Sequence, residues 1–223
     1  MSSHNLLKEI ATLRSLLLDM SAKVDEQLAD ALNALLGGDE QLADEVVTRD
    51  QSIDALELEV DKQCERILAL YQPVAVDLRM LLVAEKVNTD LERMGDHCRN
   101  VARHVRSIQD ASGALAVMNL ETMGDNARTM LHRAQDALRQ RDRLVARQVL
   151  SLDNQVDRLH DQNFEALVTY LKSHPEHAEA VAHLIGVNKA VERFSDHANN
   201  IAKAVVFLAE GTDIRHRSVQ AQD

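Results

Sequence analysis

Carboxylates stand at matched positions in the two halves of this chain, spaced as ligands on helix faces would be. Asn88, Glu92, Asp96 and Asn100 recur as Asn188, Glu192, Asp196 and Asn200, each partner one hundred residues on. The surrounding text repeats too: Glu92-Arg93-Met94-Gly95-Asp96-His97 answers Glu192-Arg193-Phe194-Ser195-Asp196-His197. Residues four apart share a helix face, so each set forms a polar column with two carboxylates at its centre. Carboxylates within reach of one another repel, and a bound cation relieves that repulsion. Oxygen donors of this kind suit hard or borderline ions such as Mg, Mn or Fe.

The elements that carry these columns follow from composition and periodicity. Two prolines, seven glycines and no tryptophan in 223 residues leave little punctuation for strands and tight turns, so long helices are expected. Gly37-Gly38, Gln72-Pro73, Ser112-Gly113, His174-Pro175 and Gly211 mark their ends. The helix from about Ala75 carries apolar residues at Met80, Ala84, Val87, Leu91, Met94, Cys98, Val101, Val105 and Ile108. Steps of four and three alternate throughout, the pattern of a bundle seam. It returns one hundred residues on at Ala180, Leu184, Val187, Val191, Phe194, Ala198, Ile201, Val205 and Leu208. The expected fold is therefore all-α: six long helices in two tandem, pseudo-symmetric antiparallel three-helix bundles. Residues 1–112 form the first bundle, 113–213 the second and 214–223 a polar tail.

Antiparallel hairpins add more acids to the columns. Residues equally far from a turn lie at one height, and from Pro73 Ser52 is 21 residues back and Met94 is 21 forward. Asp50 and Asp54 bracket the first, Glu92 and Asp96 the second. Asp153 and Asp157 meet Glu192 and Asp196 by the same count from His174-Pro175. Four carboxylates per half are expected to converge in a surface groove, as candidate metal ligands. His97 and His197 point to another face. A plainer alternative stays open: a solvated acidic face, partly neutralised by Arg93 and Arg193.

Charge and motif content narrow the function. A net charge of −11 with no basic tract argues against nucleic acid and against docking on an anionic membrane. No run approaches the length of a membrane span, and Met1 to Ile10 does not read as a signal peptide. Cys64 and Cys98 fall on apolar stripes, as reduced core residues of a cytoplasmic protein would; a single disulfide between them is the alternative. There is no Glu-x-x-His pairing for a di-iron site, no phosphate loop and no His-Glu-x-x-His helix, so no enzyme is expected.

Gln72-Pro73-Val74-Ala75-Val76-Asp77-Leu78-Arg79, followed by Asp90-Leu91-Glu92-Arg93-Met94-Gly95-Asp96-His97, resembles the first-repeat signature of the PhoU family. Val191 to Ala202 resembles the second, and Ala209 to His216 the usual close. Cys98, in place of the usual alanine, and Phe194-Ser195, in place of Ile-Gly, are the departures. The resemblance implies a cytoplasmic negative regulator of phosphate uptake and phosphate-starvation signalling. It would be an adaptor between the ATPase subunit of a phosphate ABC transporter and a phosphate-sensing histidine kinase, and a homodimer is expected. It further implies multinuclear metal at Glu92 to Asp96 and Glu192 to Asp196, with Fe, Mn, Mg or Zn as candidates. A regulator of a different phosphate transporter and a cation buffer are the alternatives.

Overall fold

The structure, a computed structural model, describes residues 3–212, so the tail assigned to 214–223 lies outside the described residues. Helix α1 (Ser3–Gly37) ends where Gly38 turns left-handed at φ +65°, a conformation a side chain would strain. Asp39 then accepts the Leu42 amide at 3.0 Å and caps α2 (Glu40–Arg49). Next come α3 (Gln51–Tyr71) and α4 (Ala75–Arg103), a 3-10 segment (Val105–Ala111) and the short α5 (Ser112–Ala116). The second half holds α6 (Leu120–Gln140), α7 (Arg143–Ser173), a 3-10 turn (Pro175–His177) and α8 (Ala178–Glu210). No strand occurs among the described residues, and no described helix is long and apolar enough to cross a membrane.

Two local differences separate this architecture from six uninterrupted helices. The helix expected to run unbroken to Tyr71 is interrupted at Asp50, between α2 and α3. The helix whose expected seam continues to Ile108 tightens at His104, whose amide bonds the Val101 carbonyl at 3.1 Å. Its seam nevertheless stays buried, because three residues per turn bring Val105, Ile108 and Ala111 onto one side of the 3-10 segment. Every expected seam position of both repeats, Met80 to Ile108 and Ala180 to Leu208, is buried.

The bundles pack side by side. Helix α4 lies against α8 and α1 against α6, while α3 flanks α4 and α7 flanks α8. Asp90 meets His197 and His104 meets His183, so α4 and α8 run antiparallel. The rings of His97 and His197, 5.5 Å apart, lie close to the pseudo-two-fold that relates the repeats. Behind them Arg128 of α6 grips Asp25 of α1 with two bonds of 2.9 Å, and His132 adds a third contact at 3.0 Å. Burial alone would raise the Asp25 carboxyl, but hydrogen bonds from Arg128 and His132 hold it below its ordinary range. Buried residues of both halves form one contiguous core. Cys64 and Cys98 are free and buried within it; burial pushes the Cys64 thiol up to about 12, which keeps it protonated and inert.

Asp142 starts α7 by accepting the amides of Leu144 at 2.7 Å and Val145 at 3.4 Å. Asp142→Ala leaves those donors without the cap and should cost about 1 kcal/mol in urea denaturation. An unchanged midpoint would mean that solvent serves the amides equally well.

Candidate functional site

Asp50, between α2 and α3 with helical dihedrals (φ −53°, ψ −35°), anchors the first acidic cluster. The Asp50 carbonyl accepts both Ile53 N (2.8 Å) and Asp54 N (3.2 Å), and its side chain turns into the core, only 4% exposed. One carboxylate oxygen accepts Gln27 Nε2 of α1 at 3.0 Å. The other pairs with Arg99 of α4, whose guanidinium also pairs with Asp96. Helix α4 comes this close because residue 95 is glycine: a Cβ there would stand 3.0 Å from Ile53 Cδ1 and 3.3 Å from Asp50 Oδ1. Glu92 and Asp96 lie beside this pair, braced by Arg93 at 3.4 and 3.5 Å. Burial, then Asp96, raises the Glu92 carboxyl; burial, then Asp50, raises Asp54. Burial, then Asp61, raises Glu57, one helical turn along α3.

The second cluster joins Asp153 and Asp157 of α7 to Glu192 and Asp196 of α8. Burial, then Asp157 and Asp196, pushes Asp153 up to about 6. Burial followed by Glu192 raises both Asp157 and Asp196. Lys189 reaches Glu192 at 2.6 Å and Arg193 reaches Asp196 at 3.5 Å, both from the solvent side. Asn199 stands where the first repeat has Arg99. Its amide nitrogen donates to Asp153 Oδ2. The remaining oxygens of this pair, Asp153 Oδ1 and Asn199 Oδ1, are buried and accept no hydrogen bond.

Each half thus gathers the four carboxylates that hairpin counting places together. Asp50 is the correction: it is core, not groove, because Arg99 and Gln27 satisfy both its oxygens inside the protein. Among the described residues, no three His, Cys, Asp or Glu side chains stand close enough to cage an ion in the conformation seen. Asn88 and Asn188 are buried organisers. Asn88 donates to the Glu57 carbonyl (3.1 Å) and to Asp61 (2.8 Å), Asn188 to the His160 carbonyl (2.8 Å). Asn100 and Asn200 are exposed, outside the clusters. His97 and His197 face each other across α4 and α8, and His197 Nδ1 lies 2.8 Å from Asp90. Arg99, Asn199, Gln27, Glu57 and Asp90 are the contributors that the duplicated columns do not contain.

The half-buried His97 ring has a measurable consequence. Burial, then His197, pushes it down to about 4, with Arg193 and Arg93 acting the same way and Asp96 opposing. The unfolded chain takes up this proton near 6.5 and the folded protein does not, so the stability fully present above 6.5 is lost as pH falls toward 4. Between pH 7.5 and 5 the wild type should lose about 1 kcal/mol more than His97→Gln, after allowance for solvent screening. Equal losses in paired denaturation curves would refute it.

Fold and clusters together define a duplicated, all-helical bundle protein with one acidic cluster per repeat, set on either side of the contact between α4 and α8. The chain belongs to the PhoU family: the PhoU domain model matches twice, over residues 17–105 and 120–205. It is 36% identical over 209 residues to the phosphate-specific transport system accessory protein PhoU homolog of Pseudomonas aeruginosa, covering 93% of this chain and 86% of that one. The Aquifex aeolicus homolog is 34% identical over 96% of this chain and 97% of its own length. Escherichia coli PhoU is 29% identical over 93% of this chain and 86% of its own. The crystal structure of Pseudomonas aeruginosa PhoU superposes with a TM-score of 0.84 at 34% identity, covering 92% of this chain and 99% of that one. The phosphate transport system regulatory protein PhoU from Streptococcus pneumoniae gives 0.85 at 26% identity, covering 93% and 98%.

Proposed function

We propose that this chain is a cytoplasmic, non-enzymatic accessory protein of a phosphate-specific transport system that restrains phosphate uptake and phosphate-starvation signalling. The observation that carries the reading is the family match across both repeats, shared with relatives that bear that name. In this reading the protein is an adaptor, joining the ATPase subunit of a phosphate ABC transporter to a sensor histidine kinase, and it works as a homodimer. An exposed apolar tip around the turn between α3 and α4 (Leu68, Leu70, Val74, Val76, Leu78 and Leu82) supports a protein-binding role. Binding of Fe, Mn, Mg or Zn at the duplicated acidic motif belongs to the same reading, since oxygen-rich donor sets attract such ions.

Deleting the gene should derepress phosphate-starvation genes in phosphate-rich medium, and the wild-type gene should restore repression. Unchanged transcript levels would exclude this role and favour a regulator of another phosphate transporter or a cation buffer.

A further inference from the structure

The two acidic clusters come from one duplicated motif, yet the protein interior treats them differently. In the first, the space between the helices already holds a cation. Arg99, 25% exposed, reaches Asp50 and Asp96 together, and Gln27 takes the remaining oxygen of Asp50. A metal ion entering there would have to displace a guanidinium from a buried carboxylate. Donor chemistry and charge therefore do not fit a metal at the interior position between Asp50 and Asp96, which the guanidinium fills.

The second cluster has no such plug. Asn199, 8% exposed, brings an amide instead of a guanidinium, and its oxygen has no donor. The free oxygen of Asp153 is equally buried and unserved. A buried acceptor without a partner is costly, and these two belong to side chains already joined by a hydrogen bond, so a cation beside that pair would relieve the cost. Lys203, half-buried one turn beyond Asn199, acts on Asp153 through its charge alone, and none of the cations nearby makes a hydrogen bond to the unserved oxygen. Lys189 is 46% exposed and serves Glu192; Arg193 is 54% exposed and serves Glu192 and Asp196 from outside. The donor set there is all oxygen, from Asp153, Asn199 and Asp196, with Glu192 and Asp157 alongside, which selects a hard cation over a soft one.

We propose that Arg99 is a built-in cation replacing metal in the first cluster, so that the chain binds one hard divalent cation, on Asp153, Asn199 and Asp196 of the second. The inference rests on the metal reading above and sharpens it: the repeats are alike in fold and unlike in ligand chemistry. Arg99→Asn copies the second repeat's residue into the first and opens a site there.

The test is Mn2+ titration of the chelator-stripped, full-length protein, by calorimetry and by the electron paramagnetic resonance of free Mn2+. Wild type should bind one Mn2+ per chain. Asp153→Asn/Asp196→Asn should lose it, together with any Mn2+-dependent rise in melting temperature. Asp54→Asn/Glu92→Gln, in the first cluster, should still bind one. Arg99→Asn should bind two, with a melting temperature lowered without metal and restored by Mn2+. Two equal sites in wild type, or loss of Mn2+ on changing Asp54 and Glu92, would overturn the inequivalence while leaving the metal reading intact. No Mn2+ bound by wild type or Arg99→Asn would overturn both. The Asp54→Asn/Glu92→Gln result decides the matter even where Arg99→Asn fails to fold.

Discussion

Replacing Arg99 with methionine should destabilise the protein by roughly 3 kcal/mol, measured by urea denaturation at pH 7.5 in the presence of chelator. The loss comes from what remains rather than from what is removed. Asp50 is 4% exposed, and without the guanidinium its carboxylate keeps a single donor, Gln27, in a place water does not reach. An exposed ion pair would cost far less, because solvent screens it and long side chains resist being held. The double variant Asp50→Asn/Arg99→Met removes the stranded charge and should recover most of the stability. A loss below about 1 kcal/mol for Arg99→Met alone would show that Asp50 swings out to solvent, as exposed pairs do at little cost.

Phe194→Ala should cost about 4 kcal/mol, the usual range for emptying a fully buried phenylalanine site. Phe194 has no exposed surface and occupies the α8 seam position that Met94 holds in α4. Leucine at the site keeps most of the volume and should cost about 1 kcal/mol. Since both halves share one core, the damage should lower a single cooperative transition rather than melt the second repeat separately. Two resolved transitions in calorimetry would contradict a shared core.

Much of this molecule was legible in its sequence because the governing physics is periodic. The four-three spacing from Met80 to Ile108 and from Ala180 to Leu208 marks buried stripes, and the hundred-residue echo requires two copies of one design. Counting from Pro73 brings Asp50, Asp54, Glu92 and Asp96 to one level because an antiparallel hairpin has no other register. The interruption at Asp50 was not legible. Nothing in Arg49-Asp50-Gln51 breaks a helix locally, and the Asp50 backbone stays helical; what the sequence hides is that its side chain meets partners 23 and 49 residues away. Nor does periodicity foretell the 3-10 segment after His104, since steps of three keep Val105 and Ile108 buried in either helix type. The mismatch of Arg99 with Asn199 lay in plain view, the only pair between positions 92 and 100 and their echoes that differs in charge. Its meaning needed the fold, because only packing shows that residue 99 points at Asp50. Hairpin counting within each half likewise says nothing of how the halves meet, so the contacts of His97 with His197 and of Asp25 with Arg128 emerge only in three dimensions.

The proposed adaptor role is tested most directly by capture of the purified ATPase subunit of the phosphate ABC transporter. Wild type and Glu92→Ala/Asp96→Ala/Glu192→Ala/Asp196→Ala would be compared, with metal content and helical circular dichroism recorded on the same samples. Wild type should retain the subunit, and the variant, still helical, should lose metal and most of the capture. Equal capture by both proteins would contradict this, reducing the duplicated carboxylates to a solvated face with no part in binding.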